Sequence, residues 1–437
     1  MARTRSLVAL AFLVVLSGCV GGILGPQEDP DDDTLGWENG YWYDDPLSID
    51  ERDGLNETER EAVVARTMAR VEVIRGLEFT ESVSVTLISR EEYRSRRGSD
   101  WANEPTDYDR WNEQVWEGLF LVSEDATVSD AFGDVYGSAV QGYYSGGGEI
   151  TLVSDSATPM VDRTTLSHEL VHALQDQHFG FGGGRDSQDG DLAADGLTEG
   201  DANYVEQLYE SRCQAEWDCI ARPDRGTSSA PADFNRGVFS VIYQPYAEGP
   251  LFVETLRDRG GWEAVNDAYD DVPQSTEQVI HPEDYPDDRP VELDVPDRSS
   301  GGWERFSFDN RPNADTVGEA SIYAMLWANG VVTDQSPYAY AFPASTGWAG
   351  DSLIPYQNGD EYGYVWVTEW ESEADAREFV DAYRQVLEAN GAVERAGGVY
   401  RIPEGEPFAD AFRVTQSGTQ VKIVNAPSLG ALGRIDG

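Results

Sequence analysis

Three of the four histidines in this 437-residue chain fall within the sixteen residues TTLSHELVHALQDQHF, Thr164 to Phe179. His168 and His172 are four apart, with Glu169 directly after the first. On a helix, residues i and i+4 stand one turn apart on one face, so both imidazoles can reach a single Zn²⁺ at about 2.0–2.1 Å. Glu169 lies about 100° further round, beside the metal but outside its ligand shell, which is where a general base acting on zinc-bound water belongs. Leu166, Leu170, Val171 and Leu174 form an opposing apolar stripe that anchors the same helix to a core. With so few histidines, such a pair with its glutamate arises by chance only about three times in a thousand. One segment therefore specifies a helix, its buried face and a metal-binding face.

Two histidines leave a catalytic zinc site one protein ligand short, because such sites use three and keep a further position for water. His178 lies six residues beyond His172 and off the ligand face, and reads as structural. Positions 175 and 182 are Gln and Gly, so no third histidine follows at longer spacing. A carboxylate from the next helix, expected over Leu197–Arg212, remains. Glu199, in LTEGDAN (Leu197–Asn203), lies 27 residues after His172, and Gly200 beside it allows two helices to approach closely. Asp195, Asp201 and Glu206 compete with it in so acidic a segment.

The charge balance narrows the partners. Against 81 acidic residues stand 31 basic ones, for a formal net charge of -50, and Lys422 is the only lysine. A field of that sign repels nucleic acid phosphates and anionic lipid headgroups. Its self-repulsion is relieved when concentrated salt shortens the Debye length to about 3 Å at 1 M, and arginine in place of lysine fits an extreme halophile. With 40% hydrophobic and 11% aromatic residues the chain still has the apolar surface to form cores.

At the N-terminus, Arg3 and Arg5 precede an apolar run from Leu7 to Leu16 and then Leu16-Ser17-Gly18-Cys19. Ten apolar residues fall short of the roughly 20 that span a bilayer, so residues 1–18 read as a signal peptide. Thr4 separates the two arginines, so the twin-arginine pattern is not met. The tetrad ending in Cys19 resembles a lipobox, which implies lipidation of Cys19 and a place on the outer face of the membrane, or secretion if the anchor is absent. In that oxidising setting Cys213 and Cys219 can form a small disulfide loop. Asn56-Glu57-Thr58 is a lone glycosylation sequon.

Residues 19–54, rich in Pro, Gly and Asp, read as an acidic tether whose aromatic end, Tyr41-Trp42-Tyr43, docks. Helical periodicity marks Glu59–Ile74, and Val83–Ile88 alternates as a strand does. Asp107–Leu121 reads as a helix. Val140–Tyr144 and Glu149–Val153 flank the turn Ser145–Gly148 as an antiparallel hairpin. Ala247–Tyr269 reads as helix broken at Gly260-Gly261. A Pro- and Asp-dense boundary over Pro282–Gly302 separates a domain at 55–295 from a smaller one at 296–437. The latter holds expected helices at Thr316–Asn329 and Ser372–Asn390 and strands at Gly363–Thr368, Gly398–Ile402 and Val421–Val424. The fold class is α+β, and the second domain shows no catalytic constellation.

HELVHALQDQ (His168–Gln177), TEGDA (Thr198–Ala202), STEQVIHP (Ser275–Pro282) and GWAGD (Gly347–Asp351) together resemble the gluzincin branch of the zincin metallopeptidases, and a group of secreted bacterial and haloarchaeal zincin-like surface proteins. The resemblance implies a zincin-like catalytic domain at 55–295, Zn²⁺ held by His168, His172 and Glu199, and Glu169 as catalytic base. A peptide or protein substrate follows. Gluzincins often place Asp four residues after the glutamate ligand to orient a histidine; here Asn203 stands there, with Asp176 as another possible partner. His281, Tyr243 and Tyr246 are candidate oxyanion donors, and either hairpin strand can pair with extended substrate. The alternative is a non-catalytic cell-surface protein that keeps the fold and acts in binding or envelope structure.

Overall fold

The computed structural model describes residues 30, 33–50, 54–97, 105–155, 160–223 and 234–437; the signal segment and Cys19 lie outside the described residues. The elements run β1 (Trp37–Glu38), β2 (Tyr41–Trp42), α1 (Glu57–Arg75), β3 (Ser84–Ser89), α2 (Arg90–Arg97), α3 (Asp107–Gly118), α4 (Val128–Ala139), β4 (Gly142–Tyr144) and β5 (Glu149–Ser154). The long helices follow: α5 (Arg163–Phe179), α6 (Gln188–Ala215), α7 (Arg236–Ala268) and the short α8 (Thr276–Ile280). The remainder is β6 (Glu304–Arg305), α9 (Gly318–Ala328), β7 (Trp348–Asn358), β8 (Glu361–Trp370), α10 (Glu373–Ala389), β9 (Val393–Glu394), β10 (Val399–Arg401), β11 (Ala411–Ser417), β12 (Gln420–Ala426) and α11 (Leu432–Ile435). This is an α+β molecule. No described helix is long and apolar enough to cross a membrane.

Two sheets organise it. A small sheet has the order β3-β5-β4, with β3 parallel to β5 and β4 antiparallel to it, so β4 is an edge strand. The larger, antiparallel sheet has the order β6-β7-β8-β12-β11-β10-β9. Trp366 and Trp370 of β8 pack on Phe379 of α10, with ring centroids 5.7 and 4.8 Å apart. The largest apolar cluster runs continuously from Trp116 on α3 through Val241 on α7 and Tyr323 on α9 to Trp366, so residues on both sides of position 295 share one core.

Several elements differ from their sequence signals. Helix α6 begins at Gln188 rather than Leu197, and α7 at Arg236 rather than Ala247. Glycines hid the first start and prolines the second, since both residues lower helix propensity. Tertiary packing overrides that preference: a Cβ at Gly200 would meet the Gly249 carbonyl at 2.5 Å, and one at Gly249 would meet Gly196 O at 2.4 Å. The glycines are what lets α6 and α7 touch backbone to backbone. Helix α4 and strands β7 and β11 carried no recognised signal.

The expected tether folds earlier than its composition suggests. Strands β1 and β2 form a hairpin on α1, where Gly36 N donates to Glu72 Oε2 (2.7 Å) and Arg70 Nε donates to the Tyr43 carbonyl (2.7 Å). Asn56, the sequon residue, caps α1: its side chain accepts from Glu59 N while Glu59 accepts from Asn56 N. Cys213 and Cys219 form a disulfide.

Candidate active site

Helix α5 starts where the Asp162 side chain accepts from Thr164 N, and its apolar stripe, Leu166, Leu170, Val171 and Leu174, is fully buried. The opposite face is thereby held against α6. His168 Nε2 lies 3.1 Å from Glu199 Oε2 and 3.1 Å from His172 Nε2, which is 3.4 Å from the same carboxylate oxygen. Ligands of a tetrahedral Zn²⁺ at bond lengths of about 2.05 Å stand about 3.3 Å from one another. Two imidazole nitrogens and one carboxylate oxygen are also the donor set of catalytic zinc, so the residues fit the ion in spacing and in chemistry.

The tautomers suit that reading. Gln175 Nε2 donates to the Thr198 carbonyl (2.8 Å), which turns its Oε1 toward His172 Nδ1 at 2.8 Å. An amide oxygen only accepts, so Nδ1 holds the ring proton and the Nε2 lone pair faces the cluster. Glu206 Oε2 stands 3.5 Å from His168 Nδ1 and acts there in the same sense. Burial alone would lower both imidazole pKa values, but Glu199 raises both and Glu206 adds to that at His168. Burial would raise that of Glu199, yet the two imidazoles hold it well below the usual carboxylate range.

The competing carboxylates have other places. Asp201 is fully buried, takes Arg75 Nε on both oxygens (2.9 and 3.0 Å) and accepts from Tyr269 OH (2.9 Å). Asp195 lines the cavity, and Glu206 backs His168. Two expected orienting residues do not reach the histidines. Asn203 Nδ2 donates to the Glu199 carbonyl of its own helix (3.0 Å), one turn back, where a short amide finds its nearest acceptor. Asp176 accepts from Tyr144 OH (2.6 Å), tying α5 to β4.

Glu169 lines the same cavity of about 960 Å³ as the three donors, and burial pushes its pKa up against the lowering effect of the two histidines. Strand β4 passes over it so closely that a Cβ at Gly142 would lie 2.9 Å from Glu169 Oε1. Tyr246 of α7 also lines the cavity, with its ring stacked on His168 (centroids 6.4 Å apart, planes 18°). The Tyr246 ring is 37% exposed, so its outer edge meets solvent while its hydroxyl is desolvated in the site; that desolvation, then the Glu199 charge and a hydrogen bond to it, hold its pKa above the ordinary value and keep an O–H donor there. Tyr243 stacks behind Tyr246. His281 is not brought to the cavity: its Nε2 lies 3.2 Å from Glu319 Oε1, at the junction of α8 and α9. His178 contacts the Glu78 carbonyl (2.8 Å).

Gln175 and Gly142 escaped the sequence reading. The first had a signal, standing three residues after His172 and so on its face; the second had none, because its partner is 27 residues away across a loop.

The family described as Domain of unknown function (DUF8575) matches residues 304–436. That match covers the large sheet and none of the residues lining the histidine cavity. No curated protein matches the chain.

Proposed function

We propose that the chain is an exported zinc-dependent peptidase of gluzincin type with a zincin-like catalytic region, held by lipid at Cys19 on the outer face of the membrane. The observation that carries this reading is the convergence of His168 Nε2, His172 Nε2 and Glu199 Oε2 at 3.1–3.4 Å, with Glu169 in the same cavity. A purely structural metal has no use for that glutamate.

Bound by those three residues, Zn²⁺ would supply Lewis acidity toward a carbonyl and would acidify a water. Glu169 takes the proton of the attacking water on its carboxylate and passes it to the leaving amine; a pKa above the ordinary glutamate value suits both halves of that cycle. Tyr246 offers its hydroxyl to the developing oxyanion. Edge strand β4, whose Gly142, Tyr143 and Tyr144 line the cavity, offers unpaired backbone groups to an extended peptide. The acidic surface fits work in concentrated salt.

Peptide hydrolysis by the full chain in multimolar salt, with bound zinc measured alongside, tests the reading. Glu169→Gln should retain zinc and lose activity by about 10²–10⁴-fold. Equal activity in the two proteins would discard the mechanism, and zinc retained with no activity in either would favour a binding protein.

A further inference from the structure

The histidine cavity adjoins a second one. Tyr136 of α4, Asp195 of α6 and Tyr246 of α7 line it and also line a further space of about 640 Å³. Because the Tyr246 ring stacks on His168, that space begins one ring away from His168. Its walls come from α3, α4, the start of α6, the first half of α7 and residues 310–315. The last segment lies beyond the boundary expected at 295, so the two parts of the chain close this space together.

Its floor is apolar. Trp111, Trp116, Leu192 and Val241 are buried and give it ring and aliphatic surface. Phe132 stands edge-on to Trp116 (centroids 5.1 Å apart, planes 84°) and leads on to Tyr136 (6.0 Å). Trp111 Nε1 donates to the Asn313 carbonyl (3.1 Å), which satisfies its polar atom within the fold. The polar wall is likewise engaged or open to water. Asp315, the buried carboxylate of that wall, accepts from the Gln188 and Thr316 amides (2.8 and 2.9 Å). Asp191 accepts from Arg185 N (2.6 Å), Arg311 lies over the Tyr108 ring at 3.8 Å, and Asp186 and Asp195 are exposed. A space with a ring-lined floor and a polar rim suits a bulky apolar group. An aromatic ring gains most there, because edge-to-face neighbours add to the area it buries.

We propose that this second cavity receives an aromatic side chain of the substrate, at a residue next to the bond cleaved. The inference rests on the peptidase reading and adds a substrate class to it. A peptide whose carbonyl reaches the histidine cluster has its neighbouring side chain beside Tyr136, Asp195 and Tyr246, the residues common to both spaces. About 640 Å³ holds Phe, Tyr or Trp whole, whereas Ala would leave water against Trp116 and Phe132. An acidic side chain would meet Asp186, Asp191 and Asp195 and be repelled. A basic one would set its charge against a floor of rings and aliphatic groups, away from water. Residues 310–315 then make the C-terminal part of the chain a wall of the substrate site.

The test uses the full chain, zinc-loaded, in multimolar potassium chloride, with end-blocked hexapeptides of Ala and Gly that carry one variable residue. Binding to Glu169→Gln is measured by calorimetry and hydrolysis by the wild type is followed in parallel, so the pocket and the chemistry are read separately. Peptides carrying Phe, Tyr or Trp should bind about 10–100-fold more tightly than those carrying Ala or Arg, with cleavage next to the aromatic residue. Asn112→Trp fills the space from α3, and Phe132→Ala removes part of its wall on α4. Each, combined with Glu169→Gln, should lower aromatic-peptide affinity by about tenfold and change that of the alanine peptide by less than about twofold, at constant zinc content. Two variants on separate helices keep the result readable should one fail to fold, as judged by circular dichroism. Aromatic preference in binding without hydrolysis would discard the peptidase reading and keep the pocket. Hydrolysis or binding with no aromatic preference, a preference for Arg, no binding of any peptide, or an aromatic preference unchanged in the folded variants would overturn the pocket.

Discussion

In the His168–His172–Glu199 cluster every donor stands inside a helix and has a neighbour that holds it: Gln175 behind His172, Glu206 behind His168, and the crossing of α6 on α7 behind Glu199. The Glu117–Glu124–Asp410 cluster takes its oxygens from one helix end and two loops, with the Asn425 amide against Asp410. The first is held in shape by its own packing and hydrogen bonds. In the second, burial and the neighbouring carboxylates hold Glu117 and Asp410 above the ordinary carboxylate range, so a proton can take the charge. A reactive metal must be placed to within fractions of an ångström and is therefore built on rigid elements, whereas buried carboxyls that can hold protons need no such placement.

That contrast can be broken or sharpened by experiment. The largest effect should come from Gly142→Ala, which forces a methyl group to within 2.9 Å of Glu169 Oε1. A displaced base should lower kcat by about a hundredfold with zinc content intact, as measured by peptide hydrolysis and elemental analysis. Undiminished kcat would mean that β4 does not fix Glu169. Next is Gln175→Leu, which removes the acceptor at His172 Nδ1 and should weaken zinc affinity by about 10–100-fold in competition with a chelator. Unchanged zinc affinity would mean that Gln175 does not hold His172 in place.

The smallest effect concerns buried carboxyls that hold protons. Burial pushes Glu277 and Glu38 up to about 9, and Asp189 and Glu72 up to about 7; neighbouring carboxylates add to each, while hydrogen bonds from Thr276 to Asp189 and from Phe79 and Gly36 to Glu72 offset part of the rise. The folded chain then keeps protons that the unfolded chain releases near its ordinary pKa of about 4.3. Stability from these groups is complete below that value and is lost as pH rises through 7 to 9. Calorimetry at fixed high salt should show a melting temperature several degrees higher near pH 5 than near pH 9, with the alkaline part of the slope reduced in Glu277→Gln. A melting temperature that rises with pH would contradict the assignment.

Legibility followed range. The α5 helix, its apolar stripe and the paired imidazoles could be read because they depend on a period of 3.6 within one segment. Glu199 was reachable because it sits on the following helix, though among four carboxylates only packing separated it from Asp201, which Arg75 holds. The early starts of α6 and α7 were hidden by glycine and proline, whose low propensity is overridden by the contact of Gly200 with Gly249. His281, chosen as a donor for its rarity, is held by Glu319, and Tyr246 occupies the place beside His168.

By itself the sequence determined the local chemistry: two imidazoles and a glutamate at helical spacing, a cluster of acidic charge, an α+β pattern. Tertiary structure alone decided which carboxylate stands 3.1 Å from His168, which strand lies over Glu169, and that Glu117, Glu124 and Asp410 meet at all. Spacing along one helix is set by covalent geometry, which every copy of the motif shares. Distances between elements are set by how cores and glycine contacts pack, and no single segment contains that information.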